Sequence, residues 1–145
     1  MKIVAHTLVK NEGNWVWYAL MSIVNWVDEV MVWDTGSTDN TVAIIKSIPH
    51  PKIKLRQVQA NSKAEIAQVR QAMLDVTTAD WILLVDADEI WTAAGLQEIR
   101  EFVASPGERW VGVNNFWSLI GDVYHYLPPK YGRYRIGGQT GDLTI

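Results

Sequence analysis

The chain has 145 residues, 48% of them hydrophobic and 20% charged, with a formal net charge of −3. That length suits one domain with a buried core, and the acidic balance lacks the basic face that nucleic-acid binding requires. There is no cysteine, which excludes disulfides and thiolate metal sites.

The run KIVAHTLV, residues 2–9, predicts a short buried strand that ends in the polar KNEGN. In NWVWYALMSIVNWVDE, apolar Val16, Ala19, Leu20, Ile23, Val24 and Val27 recur at helical spacing. EVMVWD, residues 29–34, predicts a second buried strand. It runs into DTGSTDNT, where Gly36 allows a tight turn and Ser37 or Thr38 offers a cap for the next helix. Pro49 and Pro51 end that helix. KIKLRQV, residues 52–58, alternates Lys52, Lys54 and Arg56 with Ile53 and Leu55, the pattern of an edge strand guarded by charge. Ser62 precedes the helical KAEIAQVRQAMLDV, WILLV predicts another strand, and residues 92–104 predict a helix with Leu96, Ile99 and Val103 on one side. Strands alternating with helices imply a mostly parallel α/β sheet covered on both faces. After Arg109 the texture changes to a β-rich segment. A hairpin is expected about Gly121 and Asp122, then a glycine-rich tail ending in a strand-like LTI.

Ligands of open parallel sheets bind at the carboxyl ends of the strands. Three such ends carry polar groups here: Asn11 and Glu12, then Asp34, then Asp86 and Asp88. Alternation puts Asp86 and Asp88 on one side if the extended backbone persists through Ala87. Two close carboxylates repel unless a cation meets them. Hard oxygen ligands suit manganese or magnesium carrying a phosphorylated ligand. Arg70 is the other candidate cation, and capping of the following helix is the plain alternative.

Three blocks, KNEGNW, DEVMVWDTGSTDNT and VRQAMLDVTTADWILLVDADEIW, resemble in order and spacing the N-terminal part of family 2 glycosyltransferases with the GT-A fold. The likeness covers residues 2–104 and fades beyond. It implies a Rossmann-like sheet and transfer of a sugar from a nucleoside-diphosphate sugar, most simply a UDP-sugar. Lys10, Asn11 and Glu12 match the loop that holds the nucleotide, and Asp34 matches the acid that bonds the base. Arg70 matches an arginine near the donor, although Gln71 stands where asparagine is usual. Asp86 would lie near the ribose, and Asp88 would ligate manganese or magnesium on the diphosphate, with Glu89 extending the acidic edge. The resemblance also implies inversion, which needs a carboxylate base. None of Glu98, Glu101, Glu108, Asp122 and Asp142 has a context that identifies it as that base. On this reading, residues 1–104 form the nucleotide-binding half of one domain. Residues 105–145 begin an acceptor-side half that the chain leaves incomplete.

Two other classes of protein share parts of this pattern. A phosphotransferase of the haloacid dehalogenase type also uses D-x-D after an apolar strand, but its motif opens the domain, and here Ile90 departs from its pattern. A nucleotide-sugar-binding or scaffold module without catalysis is the alternative of a different class. His6 is expected in a core strand, His50 exposed, and His125 packed within a strand. Trp15, Tyr18, Ser22 and Trp26 form a second stripe on the first helix. It implies cover by another part of the fold, self-association, or contact with a membrane surface. The opening residues turn polar too soon for a signal peptide, and no stretch reaches the ~20 apolar residues of a membrane span. A cytoplasmic setting, peripheral to the membrane if the aromatic stripe engages it, is the expectation.

Overall fold

A computed structural model describes residues 1–105, 118–120 and 122–127. The chain divides into two units, Met1–Ser105 and Pro106–Ile145. In the first, β1 (Ile3–Val9), α1 (Val16–Ile23), β2 (Glu29–Asp34), α2 (Thr41–Ser47), β3 (Ile53–Gln57), α3 (Lys63–Val76), β4 (Trp81–Leu84) and α4 (Ala93–Ala104) alternate. The strands form one sheet in the order β3-β2-β1-β4, and each neighbouring pair is parallel. Parallel neighbours need crossovers, which the helices supply.

Alternation along the strands sorts their side chains into two layers. Ile3, Ala5 and Val9 of β1 and Val30 and Val32 of β2 share a buried cluster with Leu20 of α1, Ile45 of α2 and Leu96 of α4. The intervening Val4, Met31 and Trp33 are buried with Met73 of α3. Helices therefore cover both faces, as the sequence implied, with α3 opposite the other three.

The apolar stripe expected to run through Val27 outlasts its helix, which ends at Ile23. Val24 and Val27 stay buried, but their carbonyls accept from Lys52 Nζ at 3.4 and 2.8 Å. An ammonium from just before β3 thus satisfies two carbonyls beyond the end of α1. Lys52 leaves the basic edge for this task, while Arg56 stacks over Trp33 at 4.4 Å. Among the described strands β3 is an edge, as expected.

The cap of α2 differs from the expectation. The helix starts at Thr41, and Asp39 Oδ1 accepts from its N–H at 3.0 Å and its hydroxyl at 2.5 Å. Ser37 and Thr38 are engaged by the loop after β1 instead. The cap of α3 does fall on Ser62. It closes a capping box in which Ser62 Oγ accepts from Glu65 N–H and the Glu65 carboxylate accepts from Ser62 N–H.

The aromatic stripe of α1 splits in two. Trp15, Trp17 and Tyr18 are exposed, with the Trp17 and Tyr18 rings edge-on at 5.2 Å. Trp26 instead packs, half-buried, against the core, and Ser22 Oγ accepts from Trp91 N–H at 3.1 Å. Among the described residues no helix is long and apolar enough to cross a membrane.

In the second unit, β5 (Ser118–Ile120) and β6 (Asp122–Leu127) pair antiparallel as the expected hairpin. Asp122 already belongs to β6. His125 is exposed rather than packed, and His50 is half-buried rather than exposed, its Nδ1 accepting from Lys52 N–H at 3.3 Å. Glu108, Gly121, Asp142 and the glycine-rich tail lie outside the described residues.

Candidate functional site

Because the strands are parallel, β1, β2 and β4 deliver their carboxyl ends to one edge of the sheet. Val9 is in register with Asp34, and Thr35 donates to the Val9 carbonyl from both its N–H and its hydroxyl, at 2.9 and 3.1 Å. The two loops that follow β1 and β2 therefore leave the sheet side by side.

Asp34 is only 1% exposed. Its carboxylate accepts from the N–H groups of Gly36 and Ser37 at 3.2–3.3 Å. Gly36 has φ +102, which allows the backbone to turn back over that carboxylate. Asn11 also has a positive φ, 57°, in the left-handed region that asparagine tolerates. It lies against the β2–α2 loop, with its N–H donating to Ser37 Oγ at 2.9 Å and its Oδ1 accepting from Thr38 N–H at 2.8 Å. Lys10 Nζ donates to the Ala60 carbonyl at 3.3 Å.

The condition of an extended backbone through Ala87 is not met. β4 ends at Leu84, and Glu89 N–H donates to the Asp86 carbonyl at 3.0 Å, closing a turn. Ala87 is buried, Asp86 half-buried and Asp88 exposed. Asp86 meets Arg70 of α3 at 3.7 Å, so one positive partner of the acidic turn is that guanidinium. Gln71, next to it, is held along its own helix by Asp75 at 2.7 Å.

The charge at this edge is concentrated. The Glu12 carboxyl is raised above its ordinary value by desolvation first, then by the negative charges of Asp88, Asp39 and Asp86. The structure therefore gathers acids from the loops after β1, β2 and β4. Among the described residues no three His, Cys, Asp or Glu side chains are arranged to hold a metal ion by themselves. The hard oxygens of Asp86 and Asp88 nevertheless fit manganese or magnesium, which bind through one or two carboxylates and complete their shells with water and phosphate.

His6 lies beneath this edge in β1 and is buried. Its Nε2 is 2.7 Å from Thr77 Oγ1, which donates to the Met73 carbonyl at 2.7 Å. That hydroxyl has no second hydrogen, so Nε2 is the donor. Burial first, then the Arg70 charge, lower the ring's pKa against the opposing effect of Glu29. His6 is thus a core histidine, as expected. Glu98 and Glu101 are exposed on α4, and Glu101 accepts from Gln97 Nε2 at 2.7 Å. Sequence reasoning missed Ser37, Thr38 and Asp39 as partners of the first loop. The only signal was the density of small polar residues in DTGSTDNT.

A parallel sheet with acids gathered at its carboxyl edge is the arrangement in which open α/β domains receive their ligands. The solved structure of S. aureus TarS 1-349 shares the fold, with a TM-score of 0.58 at 21% identity over 79% of this chain and 39% of that one. The Glycosyl transferase family 2 model matches residues 6–141, and the chain belongs to that family. An uncharacterized glycosyltransferase of Rickettsia felis is 38% identical over 107 residues, 72% of this chain and 35% of that protein. The SPbeta prophage-derived glycosyltransferase SunS of Bacillus subtilis is 31% identical over 86 residues, 59% of this chain and 19% of that protein. The chain spans about a third or less of the length of these curated relatives.

Proposed function

We propose that residues 1–104 form the donor-binding half of a metal-dependent, inverting glycosyltransferase, and that 105–145 begin its acceptor side. It moves a sugar from a nucleoside-diphosphate sugar, a UDP-sugar in the simplest case, to an acceptor hydroxyl. The observation that carries this reading is the gathering of Glu12, Asp34 and the Asp86–Asp88 turn at one sheet edge, beside Arg70.

Each residue contributes a distinct piece of chemistry. Asp34 is fixed by its own loop, so its remaining lone pairs can accept from a base N–H. Lys10, Asn11 and Glu12 border the nucleotide on the β1 side. Arg70 brings positive charge toward the diphosphate, and Asp86 can bond ribose hydroxyls. Asp88, with Asp86, would hold manganese or magnesium, which offsets negative charge on the departing nucleoside diphosphate. Inversion needs a carboxylate that takes the acceptor proton as its oxygen attacks the anomeric carbon. No described carboxylate is assigned that task.

The test is calorimetric titration of UDP into the protein in manganese and in EDTA. About tenfold tighter binding in manganese is expected, with Asp88→Asn abolishing the difference. Equal affinity under both conditions would remove the metal from the proposal. Failure to bind UDP at all would remove the uridine nucleotide.

A further inference from the structure

The β1–α1 and β2–α2 loops are joined by hydrogen bonds from Asn11 and Gly13 to Ser37, Thr38 and Asp39, the last three of which have been given no role in donor binding. Asn11 N–H donates to Ser37 Oγ at 2.9 Å, and Thr38 N–H donates to Asn11 Oδ1 at 2.8 Å. Gly13 N–H donates to Asp39 Oδ2 at 3.1 Å, while Asp39 Oδ1 holds the first residue of α2. Ser37 N–H in turn donates to the Asp34 carboxylate. On the other side the Glu12 carbonyl accepts from Trp15 and Val16 N–H at the start of α1. An unbroken series of hydrogen bonds thus runs from Asp34 across to the residues flanking Glu12.

We propose that Ser37, Asp39 and the Asn11 side chain form a clasp that sets the two loops, and with them Glu12 and Asp34, in the arrangement that receives the nucleotide. The ligand rests on the function proposed above, whereas the clasp itself does not. Ser37 and Asp39 are then positioning residues of the donor site.

Two further observations support the clasp. The loops lie close enough that a Cβ on Gly13 would fall 2.0 Å from Asn40 Oδ1, so a side chain there would have to displace that of Asn40. Asn11 also holds a positive φ, a conformation that an unrestrained non-glycine residue visits rarely. The cross-loop bonds keep it there. Hydrogen bonds at an exposed surface contribute little to global stability. They do restrict the loops before a ligand arrives, so less conformational freedom is lost on binding. Loss of the clasp should therefore weaken nucleotide binding more than it weakens the fold.

The test uses Ser37→Ala, which removes the acceptor of Asn11 N–H, and Asn11→Gly, which permits the positive φ without strain and removes Oδ1. Without ligand, amide hydrogen exchange at Asn11 in the first variant and at Thr38 in the second should quicken about tenfold. Exchange at Gly13 should quicken in both, with Tm nearly unchanged. Affinity for UDP in manganese should fall about 3–10-fold in each, and the double variant should fall no further than the worse single one. Ser37→Thr, which keeps the hydroxyl, should restore both readouts. Unchanged exchange across the loops overturns the clasp, and faster exchange with unchanged UDP affinity overturns its positioning role. If the unaltered protein does not bind UDP, the donor reading fails, and the exchange measurements still decide the clasp.

Discussion

Glu12 faces Asp88, Asp39 and Asp86, and its pKa lies above the ordinary 4.5 through desolvation and their charges. A folded-state pKa above the unfolded one means that Glu12 contributes full stability below about pH 4.5, lost as pH rises through the folded value. Glu12→Gln, neutral throughout, should therefore raise Tm at pH 7 in EDTA, and the gain should vanish toward pH 4. Scanning calorimetry at both pH values checks this, and a gain that survives acidification would exclude charge repulsion as its source. His6 has the opposite sign: its pKa is lowered from 6.5, so the stability it contributes is present above that pH and lost as pH falls through the folded value. Asp34→Asn keeps one acceptor oxygen for the Gly36 and Ser37 N–H groups and loses the charge. UDP binding in EDTA should weaken by about 1–3 kcal/mol if Asp34 bonds the base, while bare manganese affinity stays the same. An equal loss in both titrations would place Asp34 on the metal instead. Asp34, Asp86 and Asp88 were legible because parallel strands deliver their ends to one edge. The partnership of Asn11 with Ser37 was not, because it joins residues 26 apart through two loop conformations. The end of the extended run was not legible either: Glu89 N–H closes a turn on the Asp86 carbonyl where the sequence permitted extension.

At the scale of elements, α1 shows how far periodicity reads and where it stops. Val16, Ala19, Leu20 and Ile23 are all fully buried, as their spacing required. Beyond the end of the helix, Lys52 reaches the Val24 and Val27 carbonyls from far along the chain, a contact that no local pattern marks. The aromatic stripe left its partner open, because spacing gives a face and does not say what packs on it. The structure separates Trp26, packed against the core, from the exposed Trp15. Trp26→Ala should then destabilise by about 2–4 kcal/mol, near the lower part of the range for a large core side chain. Trp15→Ser should stay within about 0.5 kcal/mol of the unaltered protein. Urea denaturation measures both, and similar losses at the two sites would contradict their different burial. Leu20→Ala, at a fully enclosed site, should cost about 2–5 kcal/mol on the same scale.

At the scale of the whole molecule, the residues assigned to the donor all fall within Met1–Ser105, one of the two units into which the chain divides. A ligand that binds only the folded form stabilises it by mass action, about 2.7 kcal/mol at a free concentration one hundred times Kd. Amides of β1 and β2 exchange only when the sheet that carries the site opens, because they pair within its centre. Under saturating UDP and manganese their exchange should slow by about 100-fold, the factor by which the ligand depletes the open state. Amides of β5 and β6 belong to the other unit and contribute no residue to the assigned donor set, so their exchange should change much less. Hydrogen-exchange mass spectrometry with and without the ligands reads both regions in one experiment. Slowing confined to the Met1–Ser105 unit is the expected result. Equal slowing in the β5–β6 hairpin would show instead that nucleotide binding draws on residues beyond Ser105, and that the donor half does not end there.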